Sequence, residues 1–95
     1  MNDQATCELL SEDFRTKVWR WSFESGQATG MHIHKYDYVA IPISGGDFTA
    51  TMDSGEVLEF TQIAGTPYQR SAVFHHKVLF VGEGKASFVE VEFLS

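Results

Sequence analysis

The sequence has a single cysteine, two prolines, few basic residues and no long apolar run. Cys7 alone excludes an internal disulfide. Seven basic residues against 13 acidic ones give a net charge of −6, which argues against binding a nucleic-acid backbone, because that needs clustered Lys and Arg. No segment is apolar for long enough to span a membrane, and residues 1–14 are too polar and acidic for a secretory signal. We therefore expect a cytoplasmic protein.

What the sequence does contain is enough apolar material for one small core. Its 95 residues predict one domain, residues 1–95, and 43% of them are hydrophobic, including eight Phe. Because a small domain buries a modest fraction of its surface alone, association with a second copy is favourable.

The hydrophobic pattern predicts short strands separated by turns. Residues 16–23 alternate, with Trp19, Trp21 and Phe23 on one face as candidate core. No stretch of ten or more residues has a helical period, and turn residues recur at intervals of about 8 to 12 residues. This arrangement is typical of a sandwich or barrel, here residues 15–94, preceded by an N-terminal arm of residues 1–14 without a clear period.

Two further patterns bear on the strands. Residues 31–43 are predicted to form one long strand or two strands with a bend, in which Pro42 belongs at an edge, a bulge or a strand end. In the last strand, alternation puts Glu90 and Glu92 on one face and the apolar residues on the other, namely Val89, Val91 and Phe93.

The first candidate site is the pair His32 and His34 in residues 26–45. Residues two apart in a strand point the same way, so the two imidazoles lie roughly 6 to 7 Å apart along the chain. That span lets both converge on one metal ion. Zinc and iron sites usually take three or four protein ligands, so another ligand must come from elsewhere.

This segment resembles the first signature of the cupin superfamily, in which a glycine, a His-x-His pair, a glutamate and a second glycine stand at set intervals. Gly26, His32, His34 and Gly45 occupy the corresponding positions, and Tyr38 stands where the family usually has the glutamate. The second signature is more degenerate. Gly65 and His76 keep their spacing, whereas other residues replace the usual proline, glycine and asparagine; these are Ser71, Val73 and Phe80.

The resemblance implies an all-β, single-domain, cupin-like barrel, which is a double-stranded β-helix or jelly roll. It also implies one divalent transition metal held by His32, His34 and His76. Imidazole ligands suit iron, zinc, nickel or copper, and three of them leave positions open for water or substrate. His75 is the alternative third ligand, and the spacing from Gly65 selects His76.

Neighbouring polar residues complete the predicted ligand-binding site. If the alternation persists, Tyr38 lies on the same strand face as His32 and His34. Three roles are then open to it: a phenolate ligand of the metal, a hydrogen bond to a bound molecule, or filling of space. Asp37 is turned away by the two-residue period unless a bulge intervenes. Tyr36, Tyr68 and Arg70 are candidate pocket residues, with Arg70 orienting an anionic ligand; core packing for Tyr68 and a surface salt bridge for Arg70 are the alternatives.

The predicted function is a mononuclear metal-binding cupin with a small-molecule ligand. One interpretation is a small metalloenzyme of the dioxygenase, isomerase or lyase type that acts on a small polar molecule, although no catalytic residue is assigned. The alternatives are a non-catalytic module that binds or senses a metal or small ligand, and a structural cupin with a vestigial site.

The outer face of the central strand predicts a homodimer. Val39, Ile41 and Ile43 are apolar on the face opposite the histidines, where a strand facing solvent would be polar. The same face of a second copy would cover them in a two-fold contact, as single-domain cupins often do. The alternative cover is the N-terminal arm with its large apolar residues, Leu9, Leu10 and Phe14.

Overall fold

A computed structural model describes residues 3–72 and 74–94, and for residues 32–34, 74 and 75 it describes the backbone alone. The described residues form nine β-strands and no helix. The strands are β1 (Thr6–Glu12), β2 (Thr16–Glu24), β3 (His32–His34), β4 (Tyr38–Pro42), β5 (Gly46–Met52), β6 (Val57–Gln62), β7 (Tyr68–Arg70), β8 (Phe74–Phe80) and β9 (Lys85–Phe93).

The strands pair into two antiparallel sheets, which confirms the predicted all-β fold. One sheet has the order β1-β2-β9-β4-β7 and the other β3-β8-β5-β6. Aromatic rings fill the space between them: Phe48 of β5 lies 5.3 Å from Phe23 of β2 and 5.2 Å from Phe80 of β8, centroid to centroid. The core therefore joins the inner faces of both sheets.

The alternation predicted for β2 holds in the structure. Phe23 is buried in the core, and Trp21 packs against that core. Trp19 is half-buried, and its indole nitrogen donates a hydrogen bond to Glu92 Oε1 at 2.6 Å. One face of β2 therefore lies against the interior.

Residues 31–43 form two strands in different sheets. The backbone leaves the four-stranded sheet after β3 and enters the five-stranded sheet at β4, and Pro42 ends β4, as its missing amide donor predicts. Tyr38 therefore lies on the wall opposite the histidine strand, because the alternation that would have kept it on the same face is interrupted.

The N-terminal segment is an edge strand of the larger sheet. β1 pairs with β2 along Thr6 to Glu12, with an irregularity between Leu9 and Ser11. Two strands, β2 and β9, separate it from β4, and Ile41 and Ile43 are 38% and 51% exposed. Residues 3–14, the described part of the arm, therefore do not cover the outer face of β4.

The start of the first motif segment meets the end of the second. Gly26 has a φ of +85° and Gly65 a φ of +76°, a left-handed conformation that favours glycine. The amide of Gly26 donates to the carbonyl of Phe80 at 3.0 Å, so the start of the first motif contacts the end of the second.

Candidate functional site

A cavity of about 280 Å³ lies between the two sheets. Its polar lining contains four of the predicted site residues and two glutamates that were not predicted to belong to the site; the six are Tyr38, Tyr68, Arg70, His76, Glu59 and Glu90. Most of the remaining wall is apolar, with Phe60 and Phe88 among its side chains. A larger, more open depression of about 570 Å³ elsewhere, against Glu24 and Lys85, contains none of the predicted site residues.

His76 enters the cavity from β8 and is 7% exposed. The register pairs position 32 with His76 and position 33 with position 75. Directly opposed residues of an antiparallel pair share a face of the sheet. The backbone thus puts His76 on the face of positions 32 and 34, and position 75 on the other face.

The side chains of His32, His34 and His75 lie outside the described residues, so the three-histidine ligand set stays a prediction. Among the side chains that the structure does describe, no group of three His, Cys, Asp or Glu is close enough to bind a metal.

Tyr38 is 3% exposed and faces the cavity from β4. Burial raises the pKa of its phenol, and the charge of Glu90 raises it further. Without a bound cation, Tyr38 is therefore a neutral phenol.

Asp37 and Tyr36 lie outside the cavity lining. The amide of Ala72 donates to Asp37 Oδ1 at 2.6 Å, which fixes that exposed carboxylate beside the loop before β8. Tyr36 lies between β3 and β4 with 40% of its surface exposed. The cavity lining thus contains three of the four predicted ligand-binding residues.

Tyr68 and Arg70 belong to β7, at the edge of the larger sheet. The guanidinium carbon of Arg70 lies 4.8 Å from the centroid of the Tyr68 ring, and Arg70 Nη1 donates to the carbonyl of Gln69 at 2.8 Å. Burial raises the pKa of Tyr68 to about 12, against the opposing charge of Arg70. The side chain of Arg70 therefore combines stacking on Tyr68 with a place at the cavity.

Glu90 is the buried cavity residue that the sequence interpretation missed, whereas Glu59 lines the cavity from an exposed position. Glu90 is 6% exposed on β9. Burial raises the pKa of its carboxyl to about 8; the charge of Glu92 adds to the shift, and a hydrogen bond from Trp21 opposes it. Alternation correctly put Glu90 and Val89 on opposite faces of β9, but alternation alone does not say which face is buried. The buried Phe88 two residues earlier is the signal that places Glu90 inside.

Comparison with known proteins agrees with this fold. No protein-family model matches the chain. The chain is 33% identical over 89 residues to the "Beta-alanine degradation protein BauB" of Pseudomonas aeruginosa, covering 94% of the chain and 93% of the relative.

Comparison with solved structures also indicates a cupin fold. A cupin domain from Bordetella pertussis superposes with a TM-score of 0.94 and 27% identity, over 100% of this chain and 98% of that one. A conserved double-stranded β-helix protein from Klebsiella pneumoniae superposes with a TM-score of 0.77 and 22% identity, over 96% and 77%. No helix in the described part of the chain is long and apolar enough to cross a membrane. On its fold and its relatives, this chain belongs to the cupin superfamily.

Proposed function

We propose that this cupin binds one divalent transition metal through His32, His34 and His76, and that the metal acts on a small polar molecule in the cavity. The observation that carries the proposal is the β3–β8 register, which sets His76 opposite position 32 at the cavity. The other two ligands come from the sequence motif.

The chemistry of the described donors fits such a metal. His76 is buried, and a neutral imidazole is a good ligand for iron, zinc, nickel and copper. With Tyr38 at the glutamate position, the ligand set is more nitrogen-rich than the family's usual one. A metal of this kind would polarise a bound oxygen atom or, as iron, supply redox chemistry.

The other cavity residues would bind and orient the small molecule. The neutral phenols of Tyr38 and Tyr68 offer hydrogen bonds, and Arg70 offers a planar set of donors suited to a carboxylate. Phe60 and Phe88 contribute apolar wall that limits the access of water. The name of the relative BauB, which refers to β-alanine degradation, supports a substrate class of small polar metabolites.

A non-catalytic binding module is the second candidate. Tyr38, a buried phenol with a raised pKa, replaces the carboxylate that the family usually contributes. A site built this way can bind a ligand without turning it over. Metal content and redox behaviour separate the two candidates: tightly bound iron supports oxygen chemistry, and a metal without turnover supports binding alone.

Metal analysis tests the site directly. Protein purified without an affinity tag should contain close to one divalent transition metal per chain, and the His32→Ala/His34→Ala double variant should contain none. Imidazole binds metal only when deprotonated, so affinity should fall as pH drops below about 6 to 6.5. His75→Ala is the matched control. Undiminished metal in the double variant would refute the site.

We further propose that the outer face of β4 forms a homodimer contact. Ile41 pairs with Val89 and Val39 with Val91, so an apolar surface continues across two strands, with Ile41 and Ile43 exposed. A second copy covers such a face with the same residues.

Sedimentation at micromolar concentration tests this contact. Wild-type protein should have twice the 10.7 kDa chain mass, and Ile41→Asp should yield monomer or aggregate because it places a charge in the contact. Thr51→Asp adds the same charge to the other sheet and should leave the dimer intact. A wild-type chain that stays monomeric at high concentration would exclude the dimer.

A further inference from the structure

We propose that the cavity recognises a small amino acid, with Glu90 as the counter-ion of its ammonium group and Arg70 as the partner of its carboxylate. This inference rests on the proposed function, since it names the class of molecule that the same cavity would bind.

The first observation is a buried carboxyl group without a cation beside it. Glu90 is 6% exposed and lines the cavity. Among the residues that the structure describes, the ion pair joins Arg20 to Glu8 at 2.7 Å, away from the cavity, and none involves Glu90. Ionising a buried carboxyl that has no cation beside it is costly, even with the hydrogen bond from Trp21. An ammonium group in the cavity would remove that cost.

The second observation is the position of Arg70 on the same wall. Glu90 pairs with Ala40, Ala40 pairs with Tyr68, and Arg70 lies two residues further along β7. Strand spacing and rise put the Cα atoms of Glu90 and Arg70 about 12 Å apart. Both side chains line the same cavity, and we place a short amino acid between their charged ends. Arg70 is outside the described ion pair and uses one donor on its own strand.

The third observation is the difference in depth between the two groups. Glu90 is buried, whereas Arg70 is exposed at the edge strand. A ligand would therefore enter with its ammonium group inward and its carboxylate outward. The cavity volume of about 280 Å³ is at the small end for ligand sites, which favours a molecule of a few carbon atoms.

Binding should also release a proton from Glu90. Burial raises the pKa of this carboxyl to about 8, so it is largely protonated at pH 7 in the empty cavity, and an ammonium ligand would favour its ionised form. Other titratable or charged groups share this environment, namely Glu92, Cys7, Tyr38, Tyr68, Arg70, Glu59 and His76. The proton released must therefore be traced to Glu90 by substitution.

Calorimetric titration of the purified full chain, with its metal content measured in every sample, tests the inference. The probes are glycine, β-alanine and 4-aminobutyrate, followed by the amine and the carboxylic acid that match the best binder but carry one of its two charges. At least one amino acid should bind, and each singly charged analogue should bind at least tenfold more weakly. Buffers of different ionisation enthalpy should reveal the released proton at pH 7.

Substitutions in the protein test which residue binds each charged end of the amino acid. Glu90→Gln should weaken binding of the amino acid and of the amine at least tenfold and abolish proton release. It should leave binding of the carboxylic acid and the metal content unchanged. Arg70→Gln should instead weaken binding of the amino acid and of the carboxylic acid. Glu92→Gln, on the same strand as Glu90, is the control and should lower amino-acid affinity less than Glu90→Gln does.

Each contrary result has a distinct meaning. Failure of all three amino acids to bind, or undiminished binding in Glu90→Gln, overturns the inference. Loss of metal in Glu90→Gln would make Glu90 a metal ligand and also overturn it. If the protein as purified contains no metal and still binds the amino acid through Glu90, the proposed metal function is refuted and the recognition stands.

Discussion

His76→Ala should lower the affinity of the protein for a divalent metal by orders of magnitude, whereas His75→Ala should leave it nearly unchanged. The two residues are neighbours on β8, and opposite faces of one strand cannot both lie toward the interior. The register opposes His76 to position 32, and His76 is 7% exposed at the cavity. Removing one of three imidazoles also leaves too few protein ligands for a tight site.

The measurement is competition for zinc or nickel against a chelating dye, at pH 7.5 where free imidazole is neutral. Because His76 is buried, His76→Ala can also lower stability, so circular dichroism of the metal-free variant should first establish that it is folded. His76→Phe provides a second variant that fills the space without a ligand atom. The reverse ranking of His75 and His76 would mean that the strand register is shifted by one residue.

The strand pattern was sufficient to predict an all-β sandwich or barrel, and the resemblance to the cupin motifs implied which barrel it is. Alternation over residues 16–23 predicted the inner face of β2. Pro42 predicted an edge, a bulge or a strand end, and the structure shows the last of these. The strand β1 was harder to predict, because its seven residues are all exposed and lack an apolar period. Its pairing with β2 depends on a partner strand rather than on its own pattern.

The site was only partly predictable, since it depends on which strands face each other. Spacing in the motifs singled out His76 and Tyr38, and both line the cavity. The chain crosses between sheets after His34, so Tyr38 reaches the cavity from the opposite wall. Glu90 was missed because a carboxylate in an alternating strand ordinarily faces solvent, and only the packing of β9 against the core reverses that expectation.

Phe48 is the residue whose loss should most destabilise the barrel. It is 1% exposed on β5. Its ring centroid lies 5.3 Å from Phe23 and 6.3 Å from Phe88 of the larger sheet, and 5.4 Å from Phe60 and 5.2 Å from Phe80 of its own sheet. One side chain therefore joins the inner faces of the two sheets.

Phe48→Ala should lower the free energy of unfolding by about 3 to 5 kcal/mol, because it removes buried apolar surface and leaves a cavity that these rings cannot fill. The total free energy of unfolding of a native domain is only about 5 to 15 kcal/mol, so the variant should unfold at a much lower urea concentration than the wild type. Phe48→Leu should cost less because it retains more volume. Phe14→Ala is the control: Phe14 is 83% exposed, and its removal should change stability by no more than about 0.5 kcal/mol. Equal urea midpoints for Phe48→Ala and Phe14→Ala would show that Phe48 does not join the sheets.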